Sequence, residues 1–563
     1  MSEADRRAVP MDEAAIERLQ VHGQDVPALL ALRAATRGDH PALVWDPPSG
    51  PGRTWSYEEL WTDVRRLAAG FARRGIGVGD KVLLHADNCP ELVLAWLACA
   101  TVGAVAVTTN TKSVADEVAW FAEKARCVAA VTQPRYASLV AGASPGLGWV
   151  AVTADDGGGE PAEPATLPEG TERFDQLFGE DREWEGRPVD PMLPYCIMFT
   201  SGTTSKPKAV VHTHANAVWA SRIGPRNIDL GADDRYLIFV PFFHVNAQTW
   251  AFLPVLGVGA TAVLMPKWST SRFFDVAARH EVSHFSLMPF CFPALTAADR
   301  PAVPSLRAGV FGLVMPEGRS IFGVDVYGAY GMTETVTHAI SGKPAEHLTP
   351  RAIGRPTPGY EVAVVDKETG ALCDAGETGE LWLRGTRGVQ LFLEYFDNPE
   401  ANRDAFSDGW FKTGDMVRMA DDGSVVYVER DKDLLKVGGE NVSAREVEDV
   451  VATVAGVAKA AVVGQRHEFL DQVPVAFVVK ADGADDDDAL EEAVVAACRA
   501  KLADFKVPRA VYMVDELPLG NFDKLLKNRL REMADERAGN AGSVRPAKPG
   551  GQERVADVPR QVP

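Results

Sequence analysis

The sequence predicts an α/β protein: a large N-terminal domain of layered α/β subdomains with a β-rich part, then a small mobile α+β domain. Three observations predict it. Apolar strand-like runs alternate with helical patterns through the first half, which implies parallel layers. From about Gly354 the texture turns to short β segments broken by Gly and Asp. A turn-rich stretch at 431–440 then precedes a compact α+β unit. At 563 residues the chain exceeds what one simple core organises.

Taken in order, residues 1–25 read as a flexible arm. Ser56, with Glu59 three residues on, has capping-box register and starts a helix that continues through Leu67, Ala68 and Phe71. Lys81–Leu84 reads as a strand, Glu91–Ala100 as a helix, Ala104–Val107 as a strand, Asp116–Ala125 as a helix and Cys127–Val131 as a strand. The apolar run Leu92–Val107 is too short for a membrane span of roughly 20 residues, so a buried helix followed by a strand is expected. Residues 154–170, acidic and rich in Gly and Pro, read as a surface loop. Tyr236–Val240, Thr261–Met265 and His284–Met288 read as strands, with a helix over Ser271–His280. The β-rich part spans about 354–431. The C-terminal unit, 432–539, alternates helices over Ala444–Val454 and Asp488–Leu502 with strands over Ala460–Val463, Val473–Val479 and Ala510–Val514. Residues 540–563 lack periodicity and read as disordered.

The net charge of −20 argues against a nucleic-acid surface. The seven cysteines are scattered without metal-ligand spacing, which points to a reduced, cytoplasmic setting. No apolar signal region opens the chain.

Four clusters carry chemistry. Thr200-Ser-Gly-Thr-Thr-Ser-Lys-Pro-Lys208 follows a strand-like run, Tyr195–Phe199, and precedes a helix-like segment near His214. Gly202 lets the backbone approach an anion, the hydroxyls donate, and Lys206 and Lys208 add positive charge. No Gly-Lys-Ser/Thr follows, so this is not a Walker A loop. In Tyr327-Gly-Ala-Tyr-Gly-Met-Thr-Glu-Thr335, Tyr330 can pack on a flat base, Thr333 can donate to phosphate and Glu334 can hold Mg2+. In Gly409–Asp415, the carboxylate of Asp415 suits paired ribose hydroxyls, with Arg430 in reach of the same sugar. The last cluster is Leu517–Arg531, a turn bearing Lys524 ahead of an amphipathic helix. Each alone also fits an ordinary turn.

In this order and spacing, from about Thr54 to Arg531, the four resemble the adenylate-forming superfamily of acyl-CoA synthetases, peptide-synthetase adenylation domains and beetle luciferases. The chain is most like the acyl-CoA ligases. The resemblance implies ATP-dependent activation of a carboxylic acid as an acyl-adenylate, then transfer to the thiol of CoA, with ATP, Mg2+ and CoA as cofactors. Residue by residue, it implies that Thr200, Ser201, Gly202, Thr203, Thr204 and Lys208 handle the β- and γ-phosphates. Tyr330, with Gly331 and Met332, meets the adenine, and Tyr427 packs on it. Thr333 and Glu334 contact phosphate and Mg2+, and Asp415 and Arg430 bind the ribose. His244, with Val245 and Asn246, lies beside the acyl pocket. Lys524 serves adenylation, Lys436 and Gly438-Gly439 serve the thiol step, and Lys432 is the hinge.

Asn246 and Gln248 are expected to give the acid pocket a polar side, and Phe242, Phe243, Trp250 and Met332 an apolar one, which suits a small or medium acid. Ser205, Ala209, Glu429 and Asp523 stand where the family carries glycines, and the segment Phe311–Phe322 is shorter than usual. The alternatives are a carrier-protein thiol as acceptor, nitrite activation for diazotisation of an aryl amine, or a nucleotide-binding protein without turnover. The expected partners are a small-molecule acid and the thiol, with no nucleic acid and no membrane span; a homodimer is left open.

Overall fold

The computed structural model describes residues 19–144, 146–157, 167–180, 186–200, 207–346, 348–430, 434–437, 440–467, 470–484, 486–502, 504–519 and 525–540. The chain divides into two compact units, Met1–Tyr427 and Val428–Pro563.

The first unit is built on two large sheets. One has eight strands, ordered Glu394–Tyr395, Lys208–Thr213, Pro194–Thr200, Val105–Thr108, Lys81–His85, Ala129–Thr132, Trp149–Val152 and Thr171–Arg173. Its pairs are parallel except at the end where Lys208–Thr213 runs antiparallel to both neighbours. The second sheet has fourteen strands. Its core, from Asp325–Tyr330 through Ala308–Phe311, His284–Ser286, Arg235–Ile238 and Thr261–Leu264 to Pro41–Trp45, is parallel. The β-rich stretch expected after Gly354 is present. It is not a separate sheet, because Ile340–Gly342 pairs with both Asp325–Tyr330 and Ala352–Pro356 and carries the parallel sheet into it.

The helices form where the pattern places them. Ser56 accepts from the Glu59 amide and Glu59 closes the capping box at the head of Tyr57–Arg73. The helix Pro90–Val102 is apolar all round and buried along its length, as a helix enclosed between layers must be. Trp96 in it meets Tyr195, Phe242 and Phe252 edge-on, at 5.5, 5.6 and 6.0 Å. The flexible arm expected over residues 1–25 does not include its last residues. Val21 is fully buried, and Asp25 caps the helix Val26–Arg37 and pairs with Arg187 at 3.0 Å, so residues 21–25 belong to the fold. Thr213 caps His214–Ile228, the helix that follows the hydroxyl-rich loop. The surface loop expected over 154–170 lies partly outside the described residues.

The second unit is a five-stranded sheet ordered Glu440–Ser443, Leu434–Val437, Asp471–Lys480 and Val457–His467, with Ala510–Met513 parallel to Asp471–Lys480. Val447, Val451, Val494 and Cys498 pack on one face, and Leu517, Leu530 and Ala534 on the other. Lys527, heading the last helix, pairs with Glu448 at 3.0 Å. Among the described residues no helix is long and apolar enough to cross a membrane. The seven cysteines are free thiols.

The helix His214–Ile228 is held by a close approach. A Cβ at Gly257 would lie 1.9 Å from the Ser221 carbonyl oxygen, so only glycine fits there. Gly257→Ala is expected to cost about 1–3 kcal/mol of stability through overpacking. Gly142→Ala, on an exposed helical turn with nothing within 4 Å, is expected to be neutral or to stabilise by up to about 1 kcal/mol. Thermal unfolding of the two variants checks the contrast.

Candidate active site

The turn Thr333–Thr335 follows the strand Asp325–Tyr330 at its C-terminal end, where open α/β sheets bind ligands. Its main chain is fixed carbonyl by carbonyl. His212 Nε2 donates to Thr333 O at 2.7 Å, and the Phe392 amide donates to Glu334 O at 2.8 Å. The Tyr360 hydroxyl lies 2.8 Å from Thr335 O and 3.0 Å from Gln390 O, sharing its proton between them. Thr249 Oγ1 donates to Val336 O. Four consecutive carbonyls thus accept from four different segments.

The turn needs this hold. Val336 has φ +65° and ψ −61°, and the Thr337 amide donates to Thr335 O at 2.6 Å. That is the rare γ-turn, strained for a β-branched residue by about 1–3 kcal/mol. Gly331 is required by space, since a Cβ there would sit 2.6 Å from Thr337 O and 2.9 Å from Trp250 Cζ2.

Glu334 is buried, 3% exposed. The Tyr395 hydroxyl donates to its Oε1 at 3.0 Å, and Lys208 Nζ lies 4.7 Å from the Tyr395 ring centroid. Thr200 and Lys208 are directly paired, so the two ends of the hydroxyl-rich loop are held together as a hairpin base. The structure thereby brings the base of that loop and Glu334 to one tyrosine.

Asp415 is 2% exposed in the strand Trp410–Met419. Tyr330 donates to its Oδ2 at 2.6 Å and Tyr427 to its Oδ1 at 3.4 Å. Burial, then the Asp415 charge, pushes the Tyr330 phenol well above its ordinary range, and burial and Glu334 do the same to Tyr395. Both remain protonated donors. A carboxylate offers about four acceptor positions, so each phenol leaves room for a ligand.

The expected acid pocket is only partly as read. Gln248 is fully buried: its Nε2 donates to Phe242 O at 2.8 Å and its Oε1 accepts from Cys196 Sγ at 3.4 Å. Phe242 is likewise core. Gln248 faces inward within Asn246–Phe252, a π-helical turn whose i→i+5 bonding changes which side chains point out. Asn246 stays half-buried, and Ser286 Oγ donates to its Oδ1 at 2.5 Å while lying 3.2 Å from the Tyr236 hydroxyl. His244 and Val245, just ahead of it, are also half-buried.

Several expected site residues lie outside the described residues: Ser201, Gly202, Thr203, Thr204, Lys432, Gly438, Gly439 and Lys524, and the side chains of Arg430 and Lys436. Five residues that hold the site were not singled out in the sequence: His212, Thr249, Tyr360, Phe392 and Tyr395. Only for Tyr395 is there a local signal, since it precedes Asn398-Pro399, the cap of the helix Pro399–Asp404.

Among the described residues no group of three His, Cys, Asp or Glu side chains could cage a metal. The single buried carboxyl group of Glu334 fits Mg2+, which takes one or two carboxylates and completes its shell with phosphate oxygens and water; Glu334 would hold it.

Two layered sheets bring a buried carboxylate turn to the base of a hydroxyl-rich loop, and comparison identifies the family. The model for AMP-binding enzymes matches residues 30–396, and that for their C-terminal domain matches 446–524. The chain belongs to the AMP-binding enzyme family. It is 32% identical over 531 residues to the crotonobetaine/carnitine–CoA ligase of Salmonella typhimurium, covering 91% of this chain and 99% of the relative. It is similar to the o-succinylbenzoate CoA synthetase of Bacillus subtilis, solved with its acyl-adenylate intermediate, at TM-score 0.77 and 26% identity, covering 90% of this chain and 98% of that one. ATP-bound MatB from Rhodopseudomonas palustris gives TM-score 0.79 at 26% identity, covering 91% and 99%. The chain is an AMP-forming ligase that activates an acid as its adenylate and passes it to CoA.

Burial holds His85 and His212 down to about 4 and His338 to about 3. Below about pH 6.5 the unfolded chain binds protons at these positions and the folded chain does not. Stability is therefore expected to fall as pH drops from 6.5 towards 4. Thermal midpoints across that range check it, with a shallower slope in His212→Gln.

Proposed function

We propose that this ligase acts on a small or medium acid bearing a hydrogen-bond acceptor, with Glu334, Lys208, Asp415 and Lys524 as its principal groups. The observation that carries the reading is the convergence of the Lys208 strand end and Glu334 on Tyr395, together with the two tyrosines that hold Asp415.

In the first step a carboxylate oxygen of the acid attacks the α-phosphorus of ATP. The bond from that phosphorus to the β-bridging oxygen breaks, and pyrophosphate leaves with the electron pair. Charge grows on the α-phosphoryl oxygens and the bridge, so catalysis is alignment plus fixed positive charge. Lys524 supplies that charge, Thr333 donates to phosphate, and Lys208 with the 201–204 hydroxyls holds the β- and γ-phosphates. Asp415 and Arg430 hold the ribose, and Tyr330 and Tyr427 flank the base. Bound at Glu334, Mg2+ would neutralise phosphate charge.

In the second step the thiolate sulfur of CoA attacks the acyl carbon, and AMP leaves. This step needs different groups at the same carbon. We place Lys436 and Gly438-Gly439 there, exchanged with Lys524 by rotation at Lys432. His244 and Val245 border the acid. With its oxygen taken by Ser286, Asn246 has amide N–H groups to offer the acid's acceptor.

Pyrophosphate release screened across acids, with and without CoA, tests the reading. Short acids bearing a hydroxyl, carbonyl or second carboxylate are expected to react faster than alkanoic acids of equal length. Lys524→Ala is expected to slow adenylate formation at least about 100-fold, while a supplied acyl-adenylate still reacts with CoA. Equal rates with the plain alkanoic acids overturn the substrate assignment, and undiminished adenylation overturns that of Lys524.

A further inference from the structure

The segment 386–396 runs from one sheet of the first unit to the other. It leaves the strand Thr378–Arg384 of the fourteen-stranded sheet and ends as the edge strand Glu394–Tyr395 against Val210 and Val211 of the eight-stranded sheet. Its path is fixed by polar groups of the neighbouring helix: Asn216 Nδ2 donates to Val389 O at 2.8 Å and Leu391 O at 2.9 Å. At its end Asn402 grips the Tyr395 main chain reciprocally, accepting from the amide at 2.7 Å and donating to the carbonyl at 2.9 Å. The Tyr395 ring packs 4.7 Å from that of Phe392, and the residue is 4% exposed.

Packing alone would be served by phenylalanine at this position. The hydroxyl has a separate use, because it meets Glu334 Oε1 at 3.0 Å while the ring face meets Lys208 Nζ at 4.7 Å. A buried carboxylate needs donors, and a phenol whose main chain is gripped at both amide and carbonyl is a well-placed one. Lysine is a flexible point charge, and an aromatic face gives it a preferred place. One side chain therefore touches both Glu334 and Lys208 and orients each.

We propose that Tyr395 is a positioning residue of the adenylation step: its hydroxyl sets the Glu334 carboxylate for the divalent cation of the nucleotide, and its ring seats Lys208 for the phosphates. The proposal rests on the assignment of Glu334 and Lys208 made above.

The test measures Mn2+ binding by electron paramagnetic resonance in the full-length protein saturated with α,β-methylene-ATP, and binding of that analogue without metal by calorimetry. Tyr395→Phe keeps the ring and removes the hydroxyl. It is expected to weaken Mn2+ binding about tenfold, with analogue affinity within about twofold of the parent. Lys208→Met is expected to do the reverse. Asn402→Ala, which releases the Tyr395 main chain but keeps its hydroxyl, is expected to weaken Mn2+ binding in the same direction as Tyr395→Phe, by less. Glu334→Gln must weaken Mn2+ binding most. If Glu334→Gln weakens it while Tyr395→Phe and Asn402→Ala bind Mn2+ like the parent, the role of Tyr395 is overturned and that of Glu334 stands. If Glu334→Gln itself leaves Mn2+ binding unchanged, both fall.

Discussion

Four successive carbonyls, from Thr333 to Val336, each take a hydrogen bond from a different part of the first unit: His212, Phe392, Tyr360 and Thr249. The rest of the site follows from that arrangement. A γ-turn centred on a valine does not persist unaided, and a carboxylate 3% exposed is costly to keep in place. The four donors come from a strand of one sheet, a crossing segment, a tyrosine near the start of the β-rich part and a π-helical turn. Strain at Val336 is thus met by a fold that surrounds it, and the Glu334 side chain is presented in one orientation.

This arrangement suits phosphoryl-type chemistry on an acid. Negative charge moves during adenylation, while the groups that stabilise it gain most by standing still. His212 contributes as a neutral donor, held so by burial, and the Tyr395 phenol on Glu334 and the Tyr330 phenol on Asp415 are likewise protonated. The turn and the two acidic side chains are therefore steadied by neutral donors.

Much of the fold was legible because it is written in local patterns. The capping box at Ser56 and Glu59, the apolar helix around Trp96 and the alternation of strands and helices each depend on neighbours in sequence. Glu334, Asp415 and Lys208 drew notice in the sequence by residue type and neighbouring glycines or hydroxyls, and the structure buries the first two and sets Lys208 over the Tyr395 ring. What stayed hidden depends on distance. Tyr395 lies 61 residues beyond Glu334 and reaches it only through the crossing segment. His212 lies 121 residues before Thr333 and resembles any strand histidine. Gln248 misled because the π-helical turn redirects it towards Cys196 and Phe242, and a period read as ordinary helix or loop does not foresee that.

The most direct measurement is hydrogen exchange at the Phe392 amide, which donates to the Glu334 carbonyl. A site assembled before its ligands predicts slow exchange in the nucleotide-free protein, with little further slowing when ATP and Mg2+ are added. Rapid exchange in the free protein, with protection appearing only when nucleotide binds, would show that the turn is formed by the ligand and would contradict the account.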